Sequence, residues 1–149
     1  MTSNLKELTG LIRDVRALFQ DLKAFSDRLY APLGINASQR SVLEFLTENG
    51  PNTVPDIARV KNVTRQHIQK IVDQLVLSGF VEAQENPEHK RSYIIALTSR
   101  GEMAFEIIAE REREILQALA GDHRGADLRT ARHSLQKISH QLKEVPEND

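Results

Sequence analysis

The stretch NVTRQHIQKIVDQLVLSGFV, residues 62 to 81, places Arg65, Gln66, His67, Gln69 and Lys70 within six positions and has no carboxylate before Asp73. These side chains suit one kind of chemistry. Arg pairs with the two acceptors of a guanine edge, Gln matches the donor and acceptor of an adenine edge, and Lys neutralises a phosphate. A helix in a duplex groove faces a wall of phosphates, where an exposed carboxylate would be repelled. Three acid-free turns fit such a face. Thr53 and Thr64 stand where helices begin and could offer hydroxyls and amides to phosphates, or simply cap those helices; the two roles are compatible. Lys90 and Arg91 fall at the tip of a predicted hairpin, either reaching an adjacent minor groove or merely solvated.

The distribution of charge points the same way. The chain of 149 residues has 20 basic and 21 acidic residues and a net charge of -1. Two windows, Ile57 to Val72 and His89 to Gly101, hold 7 basic residues in 29 positions and no Asp or Glu. The other 120 positions carry 13 basic and 21 acidic residues, a balance of -8. Basic islands in an acidic remainder suit a polyanion partner on one face, although charge alone fits a solvated face equally well.

Apolar spacing gives the elements that must position these residues. Leu5, Leu8, Ile12, Val15, Phe19, Leu22, Phe25 and Leu29 recur every three or four positions and predict a long amphipathic helix ended by Pro32 and Gly34. A second helix follows, with Ser38 as its expected N-cap and Val42, Leu43 and Leu46 inward. Thr53 and Asp56 resemble a capping arrangement for a short helix through Ile57, Ala58 and Val60. The next helix, capped by Thr64 and stopped at Gly79, has Ile68, Ile71, Val72, Leu75 and Val76 as its expected buried stripe. FVEAQ at 80 to 84 and SYIIALT at 92 to 98 read as strands of a hairpin turning through Asn86 and Pro87. Ser99 and Glu102 fit a capping box for a fifth helix, and Leu128, Ala131, Leu135, Ile138 and Leu142 mark a sixth.

Two helices joined at Asn62, a residue that tolerates positive φ, with a basic-tipped hairpin behind them, make a winged helix-turn-helix. The end helices are too long for the small middle portion to cover. A second copy of the chain would cover them, as would intramolecular pairing of the two ends. The expected fold is mainly α with a small β-hairpin wing. It divides into an N-terminal dimerisation helix (1–34), the DNA-binding winged helix-turn-helix (35–100) and C-terminal dimerisation helices (101–149).

TVPDIARVKNVTRQHIQKIVDQLVLSGFVE followed by NPEHKRSYIIALTSRG resembles the MarR family of bacterial transcriptional regulators, over about residues 38 to 105. That resemblance implies a homodimer on a pseudo-palindromic double-stranded operator, usually a repressor, often released by a small aromatic or anionic effector. Lys61 stands where the family usually has leucine, adding a phosphate contact while loosening the turn, and Asn62 where it has glycine. His89 replaces a wing aspartate that commonly pairs with the arginine matching Arg91. Its absence leaves Arg91 freer, or the wing more basic at low pH. The residues alone also fit a winged-helix module that shows its basic face to an acidic protein without binding DNA specifically.

Other classes find little support. There is no cysteine, hence no disulfide framework or Cys-ligated zinc. His133 and His140 lie two turns apart, too far for one ion, and His123 stands apart from both, so no metal or other cofactor is expected. No nucleophile and base suggest an enzyme. The longest apolar run, YIIAL, is far too short to cross a membrane, and MTSNLKELTG lacks the apolar region of a signal peptide, so a cytoplasmic location is expected.

Overall fold

The computed structural model describes residues 2–146. In chain order it holds α1 (Ser3–Tyr30), a 3-10 turn (Ala31–Leu33), α2 (Ala37–Asn49), β1 (Asn52–Thr53), α3 (Val54–Lys61), α4 (Arg65–Leu77), β2 (Val81–Gln84), β3 (Ile94–Leu97), α5 (Ser99–Ala120) and α6 (Gly125–Lys143). The strands form one antiparallel sheet in the order β1-β3-β2. This is a winged helix-turn-helix, mainly α as expected. Two compact units divide between Ala109 and Glu110, within α5. Among the described residues, no helix is long and apolar enough to cross a membrane.

The first unit contains the core. Ile57 and Ala58 of α3, Ile68, Ile71, Val72 and Leu75 of α4, Val42, Leu43 and Leu46 of α2, and Val81 and Ile95 of the sheet are buried together. The cluster runs past both ends of the 35–100 segment, taking in Tyr30 of α1 and Ala104 and Ile108 of α5. Burying a side chain of this size stabilises by roughly 1.5 to 3 kcal/mol, so the elements around the helix pair are held by one apolar cluster. In the second unit, α6 has no buried residue, and Leu128, Leu135 and Leu142 stay exposed along it.

Several ends differ from the sequence expectation. Asn36, not Ser38, caps α2: its side chain accepts from the Gln39 amide at 2.9 Å while the Gln39 side chain accepts from the Asn36 amide at 3.0 Å. A reciprocal pair satisfies two orphan donors, where a lone serine would satisfy one. Thr98, not Ser99, likewise caps α5, its hydroxyl accepting from the Gly101 amide at 3.1 Å. Val76, expected in the buried stripe, is 41% exposed because it lies at the margin of that stripe. The expected strands at 80–84 and 92–98 shorten to 81–84 and 94–97, and β1 joins the sheet against Ile94 and Ile95.

The base of the wing is tightly built. Thr98 Oγ1 donates to the Gly79 carbonyl at 2.6 Å, and the Thr98 amide donates to the Phe80 carbonyl at 3.1 Å. Gly101 lies against this same turn, and a β-carbon there would collide with the Phe80 carbonyl and press on Leu97. Gly101→Ala therefore forces a backbone shift, and overpacking of this kind costs ~1 to 3 kcal/mol. Thermal unfolding followed by circular dichroism should show a clearly lower Tm for this variant, and an unchanged Tm would contradict the close approach.

Candidate nucleic-acid interface

The helix pair is set by its two caps and the residue between them. Thr53 caps α3, its hydroxyl accepting from the Asp56 amide at 3.3 Å and donating to Asp56 Oδ2 at 3.0 Å. Asn62 takes the left-handed conformation at φ 53, ψ 47 and ends α3, which lets Thr64 begin the next helix within two residues. Thr64 Oγ1 then accepts from the His67 amide at 3.1 Å. The first turn of α4 holds no acidic residue, so its amide dipoles and its side chains carry the same sign.

With Ile68, Ile71, Val72 and Leu75 inward, Arg65, Gln66, His67, Gln69 and Lys70 are all exposed. They do not form a single surface. Arg65, Gln66 and Gln69 line a cleft of about 840 Å³ together with Arg91, Ser92 and Tyr93 of the wing and Val54 and Pro55 of α3. His67 lies on the other side, in a groove of about 680 Å³ with Lys61, Phe19, Leu22 and Lys23. Lys90 lines a separate hollow of the wing with Glu85, Asn86 and Pro87, which shares Ser92 and Tyr93 with the cleft.

The wing tip is shaped by Asn86, whose side chain accepts from the Glu88 amide at 3.0 Å and whose carbonyl accepts from the His89 amide at 3.2 Å. The Ser92 amide closes the next turn onto the His89 carbonyl at 3.1 Å. Asx turns of this type are the reason an Asn-Pro start makes a compact tip.

Four candidates are engaged within the fold: Thr64 by the His67 amide, Gln69 by Asp73, and Lys61 and Thr53 by neighbouring groups. Lys61 Nζ donates to the Ser41 carbonyl at 3.4 Å, which ties α3 to α2. The Thr53 hydroxyl is committed to Asp56, which also accepts from Arg59 Nη2 at 3.1 Å. The structure thus brings Arg65, Gln66, Gln69 and Arg91 together, and leaves Thr53, Lys61, Thr64, His67, Lys70 and Lys90 outside that cleft. Tyr93 and Asp73, which also line the cleft, escaped the sequence reading. Tyr93 was accessible from strand alternation, being two residues from buried Ile95 and so on the same face.

The Arg59 guanidinium, and after it the Thr53 hydroxyl, lower the Asp56 pKa from its ordinary 3.8. A depressed folded-state value means the ionised carboxylate stabilises the fold above 3.8, and this contribution is lost as pH falls through the lower folded value. Asp56→Asn should melt below the wild type at neutral pH, with the gap closing on acidification below 3.8. Melting curves across that range check it; a gap that widens with acid would contradict the arrangement.

Known proteins share this architecture. Residues 33–92 match the model of the MarR family. An uncharacterised protein of Mycobacterium tuberculosis is 31% identical over 137 residues, covering 92% of this chain and 95% of that one. A crystal structure of a MarR family transcription regulator superposes with TM-score 0.85 at 28% identity, covering 95% of this chain and 93% of that one. A cysteine-to-serine mutant MarR from E. coli, complexed with operator DNA, has the same fold at TM-score 0.79 and 24% identity, covering 92% and 99%.

Proposed function

The chain belongs to the MarR family, and from that premise we propose that it is a homodimeric, sequence-specific DNA-binding regulator, a cytoplasmic repressor acting on a pseudo-palindromic operator. The observation that carries this reading is the cleft in which Arg65, Gln66 and Gln69 of α4 meet Arg91 of the wing, at a helix start free of carboxylates. In a major groove these side chains match guanine and adenine edges, while Lys90 and Arg91 lie against the flanking phosphates and minor groove. The operator bound by the E. coli protein of the same fold is consistent with it.

Two further features support the dimer and its control. Along α1, Leu5, Leu8, Val15, Leu18, Phe19 and Leu22 are 40% to 63% exposed, an apolar stripe that a second copy would cover. Two copies on a two-fold axis would present their α4 helices to half-sites about one helical turn, ~10 bp, apart. The end segments, 1–34 and 101–149, serve as the dimerisation region in this reading. The groove between α1, α2 and α4 has an aromatic and aliphatic wall, Phe19 and Leu22, beside Lys23, Lys61 and His67. That chemistry suits a small aromatic or anionic effector, whose binding would couple the dimer helix to the start of α4.

Gel shifts at two salt concentrations with competitor DNA test the reading, since a sequence-specific shift must survive competitor. Arg65→Ala should weaken the specific complex by ~1 to 3 kcal/mol and relax preference at one base pair. A footprint unchanged by Arg65→Ala, or a purified chain that remains a single-chain species, would overturn it. The pair Lys90→Ala with Arg91→Ala should instead weaken binding to every sequence and flatten its salt dependence.

A further inference from the structure

Gln69 and Asp73 lie one turn apart on the exposed side of α4, and Gln69 Nε2 donates to Asp73 Oδ1 at 2.8 Å. The two ends of a glutamine amide are similar in shape and opposite in hydrogen-bonding sense. An ionised carboxylate has acceptors only, so it holds the amide by its NH2 end and no other. Both residues line the cleft shared with Arg65 and Arg91. Asp73 is also the first carboxylate of this helix, and its charge opposes a polyanion, so electrostatics alone gives it no place beside DNA.

We infer that Asp73 is a positioning residue for base readout: it fixes which end of the Gln69 amide faces the groove. This rests on the reading of α4 as the groove helix. With one N–H held by Asp73, Gln69 presents its Oε1 and its remaining N–H side by side. That order matches adenine, which offers a donor at N6 and an acceptor at N7. It mismatches guanine, whose O6 and N7 are both acceptors, because the fixed Oε1 would meet O6. An unanchored amide could turn its NH2 toward guanine and tolerate either base. Asp73 thus adds selectivity by excluding the wrong base, at the expense of some general attraction to phosphate.

The test is the sequence profile of duplexes bound from a randomised library by the full-length wild type, Asp73→Ala, Asp73→Asn, Gln69→Ala and the Gln69→Ala, Asp73→Ala double variant, with melting curves to confirm that all fold. Asp73→Ala should bind random-sequence duplex as well as the wild type or better, yet lose about 5-fold or more of its adenine-over-guanine preference at one position of each half-site. Asp73→Asn, which keeps an oxygen acceptor but loses the charge, should recover part of that preference. In the Gln69→Ala background, removing Asp73 should change the preference no further. An unchanged profile for Asp73→Ala overturns the assignment, and so does an equal loss in the Gln69→Ala background, which would mean that Asp73 acts through another side chain such as Arg91. A wild-type chain with no sequence preference instead overturns the reading of α4 itself, and this assignment with it.

Discussion

Every outward side chain of α4 owes its direction to the inward ones. Ile68, Ile71, Val72 and Leu75 are buried at 6% exposure or less, against α2, α3 and β2. At 3.6 residues per turn, slipping the helix by one position would rotate it about 100° and carry this stripe into water. Each such side chain is worth roughly 1.5 to 3 kcal/mol when buried, more than any surface contact could return. The rotation of the helix, and with it the set of residues that meets a partner, is therefore decided in the core. Function at the surface is a by-product of packing one layer below.

The same constraint extends to the wing. The Phe80 amide donates to the Leu75 carbonyl at 3.0 Å, so the chain leaves α4 bound to its last buried turn. Gly79, at φ 75, turns the backbone where most residues would be strained. Thr98 then bonds back across this turn, and Arg100 covers the Phe80 ring at 4.9 Å from its centroid. These contacts lock the root of the hairpin to the end of the helix, while the tip between 85 and 93 carries turns of its own, closed on Asn86 and His89. A rigid root with a locally closed tip keeps Arg91 and Tyr93 facing Arg65 and Gln69, so that the cleft exists before any partner arrives.

Much of this was legible in the residues because the signals were local. Thr53, Asn62 and Thr64 act through their own backbones, and the stripe at 68, 71, 72 and 75 repeats often enough to define a face. Asn36 was missed because a serine two residues later was an equally plausible cap, and only the Gln39 partner separates them. The two-residue strand β1 carries no alternation, and its existence depends on Ile94 and Ile95, some forty positions away. The division of the exposed α4 residues between two grooves was likewise invisible. Whether His67 faces α1 or the wing depends on where those distant elements pack, and a helical wheel reports only in or out.

Charge counting shows the same limit most clearly. Of the seven basic residues in the two acid-free windows, three are engaged by the fold: Arg59 by Asp56, Lys61 by the Ser41 carbonyl, and Arg100 by the Phe80 ring. The Arg59 charge is offset by the Asp56 carboxylate, whereas Lys61 and Arg100 are oriented by neutral groups and keep their charge alongside Arg65, Lys70, Lys90 and Arg91. Within the helix pair the carboxylates are engaged within a turn of their own helices, Asp56 by Arg59 and Thr53 and Asp73 by Gln69, while Glu85 stands beside Lys90 on the wing. An opposite charge at that range leaves only a short dipole, as at Asp56 beside Arg59, whereas the neutral Gln69 amide orients the Asp73 carboxylate without removing its charge. A chain of net charge -1 can therefore keep an attractive face for a polyanion with six of these seven cations. What matters is which charges the fold has already satisfied.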